Sequence, residues 1–306
     1  MTQTVFIDGA AGTTGLEIAE RLAGRSEFSL VTLDDTRRKD TAARREALND
    51  ADFVILCLPD AAAIEAVAMI ENARTRVIDA STAHRVAPDW AYGFPELSAA
   101  QRAAIGASTR VSNPGCYPTG FLALVAPLVA AGIVARDARL SVNAVSGYSG
   151  GGKELIARFE ADRDIGFRSY GLNLAHKHVP EMTKGAGLAH APIFAPAVVP
   201  VYRGMLVEVP LSFDHATAGA AFAMLAAHYD GSPLVSVRRA GDESELLLRQ
   251  SDAATDRLEL MLYASPDGKQ LRLVARLDNL GKGASGACVQ NLNIMAGLPE
   301  TAGLRL

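Results

Sequence analysis

Thr4-Val5-Phe6-Ile7-Asp8-Gly9-Ala10-Ala11-Gly12-Thr13-Thr14-Gly15 is the stretch whose reading decides the fold. Its first five residues form a short apolar run, the signature of a strand buried on both faces. Three glycines follow, and then Leu16, Ile18, Ala19 and Leu22 fall at helical intervals. Strand, glycine turn, helix is the context that gives a dinucleotide fingerprint physical meaning. The glycines let the backbone turn tightly and approach a pyrophosphate at the helix start. The spacing Gly9-x-x-Gly12-x-x-Gly15 differs from the commoner Gly-x-Gly-x-x-Gly, and a tight turn with no ligand uses the same residues. Thr13 and Thr14 add hydroxyls where unpaired N–H groups and the helix dipole already favour phosphate.

The alternation continues outward from this turn. Residues 28–33 read as a second strand that ends at Asp34-Asp35-Thr36-Arg37-Arg38-Lys39. An acid at this point reads the ribose of NAD, and an arginine reads the 2′-phosphate of NADP. Both types are present. The cations, Arg37 and Arg38 among them, favour NADP, although a solvated charged loop has the same look. Residues 52–58 form a third strand, with Cys57 read as structural. A helix over 61–71 and a strand at Val77-Ile78-Asp79 complete βαβαβ, the doubly wound Rossmann-type α/β pattern. Asp79-Ala80-Ser81-Thr82-Ala83-His84-Arg85 leaves that strand at its carboxyl end, where ligands bind in such sheets. Arg85 is a candidate anion reader, because a guanidinium matches phosphate or carboxylate with two hydrogen bonds. His84 reads as an incidental loop residue.

Arg110-Val111-Ser112 is expected to be the last strand of this first domain, and Ser112-Asn113-Pro114-Gly115-Cys116-Tyr117-Pro118-Thr119-Gly120 follows it. The apolar run 121–131 reads as a helix, which puts Cys116 at or just before a helix N-terminus. A thiolate is favoured there, and it attacks carbonyl carbons while nearby N–H groups hold the resulting oxyanion.

Composition sets outer limits. The chain has 306 residues, so two domains are the default. A net charge of −4 gives no electrostatic footprint for nucleic acid or an anionic membrane. Three scattered cysteines fit a reducing compartment, and no zinc-ligand spacing occurs, so no metal is expected. The sequence enters a strand-like run at once and holds no apolar stretch of membrane length, so a cytoplasmic protein is expected.

The second half reads as a mixed sheet with helices, an α+β domain. Residues 139–146 alternate as a strand and lead into Gly147-Tyr148-Ser149-Gly150-Gly151-Gly152-Lys153. That flexible backbone suits a substrate loop, with its N–H groups, Ser149 and Lys153 facing an anion. In His176-Lys177-His178-Val179-Pro180-Glu181, Pro180 starts a helix and places Glu181 in its first turn. An extended backbone points the two histidines to opposite faces, so only one readily faces Cys116. A histidine beside a thiolate takes up and returns a proton, and a carboxylate orients the imidazole. Strands are expected over 193–200, 205–213, 257–263 and 270–277, with a helix over 217–228. A glycine-rich loop, 278–286, precedes a final helix over 287–296 that holds Cys288, read as packed.

Taken together, five motifs resemble the N-acetyl-γ-glutamyl-phosphate reductase family, in its shorter bacterial type. They are Gly9-x-x-Gly12-x-x-Gly15; Asp79-x-Ser81-x-x-x-Arg85; the stretch from Ser112 to Thr119; His176-Lys177-His178-Val179-Pro180-Glu181; and Lys282-Gly283-Ala284-Ser285-Gly286 with Val289-Gln290-Asn291-Leu292-Asn293. Gly-Cys-Tyr-Pro-Thr is what separates this branch from its semialdehyde dehydrogenase relatives. The resemblance implies NADPH-dependent reduction of N-acetyl-γ-glutamyl phosphate to the 5-semialdehyde in arginine biosynthesis, through a cysteine thioester. It implies Cys116 as nucleophile, His176 as acid/base with Glu181 its partner, and Asn279 near the nicotinamide. Gly9, Gly12, Thr13, Thr14, Gly15, Arg37 and Arg38 then hold the cofactor, and Arg85, Asn113, Ser149 and Gly150 the substrate. It also implies a homodimer or homotetramer. The expected domains are an NADP-binding domain over 1–115, completed by 284–306, and a catalytic and oligomerisation domain over 116–283. Spacing alone does not choose between His176 and His178. A reductase of an aminoadipyl or aspartyl phosphate, or a non-catalytic NADP-binding regulatory protein, fits the same fold.

Overall fold

A computed structural model describes residues 2–34, 36–213, 218–239, 241 and 243–306. The chain divides into two compact units, Met1–Gly115 with Ala284–Leu304, and Cys116–Gly283 with Arg305–Leu306.

The first unit runs β1 (Gln3–Asp8), α1 (Thr13–Leu22), β2 (Phe28–Val31), α2 (Thr41–Asp50), β3 (Phe53–Leu56), α3 (Asp60–Ala68), β4 (Arg76–Asp79), β5 (Ala91–Tyr92), α4 (Ala99–Ala107) and β6 (Arg110–Ser112). Its strands form a parallel sheet in the order β2-β1-β3-β4-β6-β5. Successive side chains leave a strand on opposite faces. Val5, Ile7, Phe53, Ile55 and Ile78 therefore pack one core with Ile18 and Leu22 of α1, while Phe6, Val54, Leu56 and Val77 pack another with Leu48, Ala63 and Ala66 of α2 and α3. Helices on both faces account for the unbroken apolar runs in the sequence.

The core on the α1 face also takes Cys288, Val289, Leu292 and Met295 from the helix Gly286–Met295. Polar side chains of that helix are tied into the same unit. Asn291 Nδ2 donates to the Gly93 carbonyl at 2.9 Å and to Asn113 Oδ1 at 3.1 Å. Asn293 Nδ2 donates to the Ala302 carbonyl at 2.9 Å, and its Oδ1 accepts from Arg25 at 2.8 Å. The Val-Gln-Asn-Leu-Asn motif thus holds the first unit together. The strands are shorter than the sequence reading: the second ends at Val31, the third at Leu56, and Cys57 follows it.

The second unit runs α5 (Cys116–Ala130), β7 (Ser141–Gly147), α6 (Gly152–Ala161), β8 (Arg168–Ser169), α7 (Val179–Ala186), β9 (Ile193–Val199), β10 (Met205–Ser212), α8 (Ala218–His228), β11 (Val235–Arg239), β12 (Leu258–Ala264) and β13 (Gln270–Leu277). The chain then enters a π-helical turn, Gly281–Ser285, and α9, the helix Gly286–Met295. The expected start of α8 at Thr217 lies outside the described residues. The sheet is mixed, in the order β11-β12-β13-β10-β7-β9-β8, with β7–β9 and β11–β12 parallel.

Helix α5 lies against this sheet and is buried along almost its whole length. A Cβ added at Gly120 would sit 2.8 Å from Val207 Cγ2, so a glycine sets how near the helix comes to the sheet. Pro127 lies inside α5 and has no N–H to give Ala123, four residues earlier. Tyr229 Oη supplies the missing donor, reaching the Ala123 carbonyl at 2.9 Å. A buried carbonyl left unpaired costs about 1–3 kcal/mol, so this bond is what makes the proline tolerable.

Candidate functional site

Cys116 is the first residue of α5 and is partly exposed. The backbone of Gly283 packs on it: a Cβ added there would lie 2.8 Å from Cys116 Cβ and 3.3 Å from its Cα. The segment expected as a loop before the last helix is therefore a π-helical turn pressed against the cysteine. Its first residue is equally constrained, since a Cβ on Gly281 would fall 1.9 Å from the Thr255 carbonyl oxygen. The other two cysteines differ in environment. Burial first, and then the charges of Asp79 and Asp8, push the Cys57 thiol up to about 12. Burial raises that of Cys288 as well. No disulfide joins any of the three.

The residue after Cys116 anchors an aromatic cage. Tyr117 meets the His176 ring at 6.3 Å between centroids, His178 at 5.9 Å and Phe194 at 5.1 Å. His176 meets Tyr170 at 5.5 Å, Phe194 at 5.1 Å and His178 at 4.7 Å, each edge to face. Tyr170 Oη donates to Tyr117 Oη at 3.3 Å, and Tyr117 Oη donates to the Ala197 carbonyl at 3.1 Å. Burial pushes the Tyr170 hydroxyl up to about 12, with the Cys116 charge adding to the effect. The Tyr117 hydroxyl is raised further, by burial first and then by Tyr170 and Cys116. Burial, with Lys177 adding repulsion, lowers His176 to about 4.

The two histidines do not diverge as expected from an extended backbone. The chain turns instead. The Val179 N–H donates to the His176 carbonyl at 2.9 Å, and the His178 N–H donates to His176 Nδ1 at 3.1 Å. His178 is in the α region as the N-cap of α7, with Pro180 in the first turn, which folds both rings into one cage. Glu181 lies in that first turn and is buried. Helix α7 packs against α5 through Gly185, where an added Cβ would meet the Leu122 side chain at 2.8 Å.

Ser149 and Asn279, far apart in sequence, come together. Asn279 Nδ2 donates to Ser149 Oγ at 2.9 Å and its Oδ1 accepts from the Gly204 N–H at 3.0 Å. An added Cβ at Gly150 would stand 3.2 Å from Asn279 Nδ2. Both side chains are buried, and they brace the turn that precedes α6. Beside them Arg203 pairs with the buried Asp278 at 2.9 Å.

In the first unit the glycines meet the demands of a dinucleotide cradle. Gly9 has φ +89°, and a Cβ on it would lie 2.3 Å from the Cys57 carbonyl oxygen. A Cβ on Gly15 would lie 2.6 Å from the Gly9 carbonyl oxygen. Helix α1 begins after Gly12 with no side-chain cap and no acid in its first turn, which leaves Thr13 and Thr14 at an N-terminus open to an anion. Asp34 is turned inward on its own loop: its Oδ1 accepts from the Thr36 N–H at 2.9 Å, from Thr36 Oγ1 at 2.6 Å and from the Arg37 N–H at 2.9 Å. These bonds, that of the Thr36 hydroxyl first, hold its carboxyl below the usual range. Arg37 pairs with Glu46 at the surface at 3.1 Å, and Arg38 is exposed; Asp35 lies outside the described residues.

At the carboxyl end of β4, Arg85 donates from Nε to the Asn113 carbonyl at 2.9 Å and from a terminal nitrogen to the Ala80 carbonyl at 3.0 Å. Asn113 gives its own amide to the Ala284 carbonyl at 2.9 Å. His84 is not incidental: its Nδ1 lies 2.6 Å from buried Asp79 Oδ2, and its ring stacks on Trp90 at 4.1 Å. Sequence reasoning missed this pair, and it missed Tyr170 and Phe194 as cage walls. Tyr170 follows a two-residue strand that no periodicity reveals.

The chain matches the sequence model of the semialdehyde dehydrogenase NAD-binding domain over residues 4–105 and that of the semialdehyde dehydrogenase dimerisation domain over residues 116–279. It is 48% identical to the N-acetyl-gamma-glutamyl-phosphate reductase of Trichormus variabilis, covering 98% of each chain. It is also 48% identical to that of Sinorhizobium fredii, covering 96% of this chain and 99% of the relative. Among solved structures it resembles aspartate semialdehyde dehydrogenase II of Vibrio cholerae complexed with ASA, with a TM-score of 0.75 at 15% identity over 97% of this chain and 99% of that one. The Candida albicans aspartate semialdehyde dehydrogenase with NADP gives a TM-score of 0.67 at 14% identity, over 99% of both. No helix among the described residues is long and apolar enough to cross a membrane, and no cluster of metal-ligating side chains occurs among them.

Proposed function

We propose, for a chain that belongs to the N-acetyl-γ-glutamyl-phosphate reductases within the semialdehyde dehydrogenase family, that Cys116 is the nucleophile on which the reaction turns. The chain is an oxidoreductase acting on a small acyl phosphate in arginine biosynthesis, converting N-acetyl-γ-glutamyl phosphate to the 5-semialdehyde with release of phosphate. One observation carries the role of Cys116. It alone of the three cysteines opens a helix and adjoins a cage of histidine and tyrosine. A sulfur there has the helix dipole and first-turn N–H groups to favour its anion.

When bound, the nicotinamide dinucleotide supplies the hydride. The residues that hold it are Gly9, Gly12, Thr13, Thr14 and Gly15. Arg37 and Arg38 select NADP, because Asp34 has already given one carboxylate oxygen to its own turn. Asn279 braces the loop of Ser149 and Gly150 from behind. Arg85 reads the anionic substrate, held in place by its bonds to Asn113 and Ala80. Cys116 attacks the activated carbonyl, phosphate leaves and a thioester remains. A thioester accepts hydride more readily than a carboxylate, which is why a cysteine is used. His176 serves the developing oxygen, and Glu181 in the first turn of α7 is its partner. The first unit is the cofactor domain, and the second is the catalytic and oligomerisation domain of a homodimer or homotetramer. Its setting is the cytoplasm, where thiols stay reduced.

The test is the reverse reaction, oxidation of N-acetylglutamate 5-semialdehyde by NADP in the presence of phosphate. It is repeated with NAD and with the substrate one methylene longer. Phosphate-dependent turnover favouring NADP is the expected result. Turnover without phosphate, or only with the longer substrate, overturns the reading.

A further inference from the structure

We infer that the second unit carries a regulatory binding site for a small monocarboxylate, on the face of its sheet opposite α5. The inference goes beyond the reaction proposed above and does not depend on it. Its starting point is a cavity of about 370 Å³ lined in part by Arg203, Ser236, Leu248, Thr255, Arg257 and Arg276. Pockets for small molecules run from about 300 Å³ upward.

Strand register places this cavity. Ser236 of β11 stands beside Glu259 of β12, and Glu259 beside Arg276 of β13. Ala275, one residue before Arg276, faces α5 together with Val207, since a Cβ added at Gly120 would meet both. Neighbouring residues of a strand point to opposite faces, so Ser236, Glu259 and Arg276 line the far side of the sheet. The chain roofs that row with its own residues 248–253. Asp252 Oδ2 accepts from Arg276 at 3.0 Å and from the Arg249 N–H at 3.0 Å. A Cβ on Gly204 would stand 3.3 Å from Leu248 Cδ2.

Charge fixes the class of ligand. Arg203 pairs with Asp278 at 2.9 Å, Arg276 with Asp252 at 3.0 Å, and Glu259 with Arg238 at 2.6 Å. Arg257 also lines the cavity, and among the described residues no carboxylate pairs with it. The paired charges cancel and one positive charge is left, which matches one negative charge on a ligand. A guanidinium takes a carboxylate with two parallel hydrogen bonds. Leu248, Ala253 and Leu277 offer apolar surface to a short hydrocarbon body.

The inner wall of the cavity is also the outer wall of the turn that holds Cys116. Asp278 Oδ2 accepts from Arg203 at 2.9 Å and from the Thr255 N–H at 3.4 Å. Its Oδ1 accepts from the Leu280 N–H at 2.9 Å, and its carbonyl from the Gly283 N–H at 3.0 Å. Gly281 packs on the Thr255 carbonyl and Gly283 on Cys116. A carboxylate held by Arg257 braces residues 252–257, and through Thr255 and Asp278 it braces the turn. Every link in this chain of contacts lies inside one unit. A turn held more firmly against Cys116 leaves the sulfur less open to an external reagent, so binding lowers its reactivity.

Saturation-transfer NMR on the whole protein tests the site, with hexanoate as probe and hexanamide as its uncharged counterpart. The expected result is a saturable hexanoate signal, none from hexanamide, and loss of the hexanoate signal in Arg257→Gln. Arg257 is exposed and lies outside the catalytic machinery, so this variant is expected to fold and turn over as the wild type does. Saturating hexanoate is expected to slow iodoacetamide alkylation of Cys116 about fivefold in the wild type, the low end of ordinary coupling between two sites. The rate in Arg257→Gln should not respond. No saturable hexanoate signal, an equal signal from hexanamide, or undiminished binding by Arg257→Gln overturns the site. Binding that leaves the Cys116 alkylation rate unchanged overturns its regulatory role.

Discussion

Gly283→Ala places one methyl group against the sulfur-bearing residue. The new Cβ would sit 2.8 Å from Cys116 Cβ, 3.1 Å from the Asp278 carbonyl oxygen and 3.3 Å from Cys116 Cα. An ordinary van der Waals contact starts near 3.4 Å, so the first contact is short by about 0.6 Å. Two of the three neighbours are backbone and cannot swing aside, and the third is fixed to the start of α5. Overpacking of this kind costs about 1–3 kcal/mol, which a chain of this size tolerates. Misplacing a reacting group by about 1 Å costs about 10²-fold, so a shift of half that size is expected to lower kcat by about 10- to 10²-fold. The assay is phosphate-dependent semialdehyde oxidation, alongside the alkylation rate of Cys116 and the melting temperature. A folded variant with wild-type kcat would refute the claim that the π-helical turn sets the cysteine.

Three further outcomes follow from the structure. Cys116→Ser should abolish turnover while dinucleotide binding, measured by fluorescence titration, survives. Tyr229→Phe should destabilise the protein by about 1–3 kcal/mol in urea unfolding, and Pro127→Ala should recover most of that loss by giving Ala123 its helical donor; no recovery would contradict the pairing. Iodoacetamide at pH 8 should label Cys116 before Cys57. A thiol raised to about 12 by burial and by the Asp79 and Asp8 charges stays protonated until far above that pH. Peptide mass spectrometry reads the order.

Much of this was legible in the sequence because the relevant rules are local. The parallel strands announce themselves as apolar runs, since helices cover both faces of their sheet. Cys116 announces itself by a tight turn before an apolar helix. What was hidden is tertiary. β5 and β8 have two residues each, too few to show a period. Gly152 looks like loop, yet opens α6. His176 and His178 look extended at a spacing of two. The helix start at Val179 bends them together, because the carbonyl and Nδ1 of His176 both accept from the turn. The partner that makes Pro127 acceptable, Tyr229, lies beyond any local window.

The most direct test of the central claim is to look for the thioester. Wild-type protein is mixed with N-acetylglutamate 5-semialdehyde and NADP in phosphate-free buffer, and NADPH absorbance and peptide masses are read together. The account predicts one equivalent of NADPH per active site and an N-acetylglutamyl adduct on the peptide carrying Cys116, discharged when phosphate is added. Continued turnover without phosphate, or an adduct on any other residue, would contradict it.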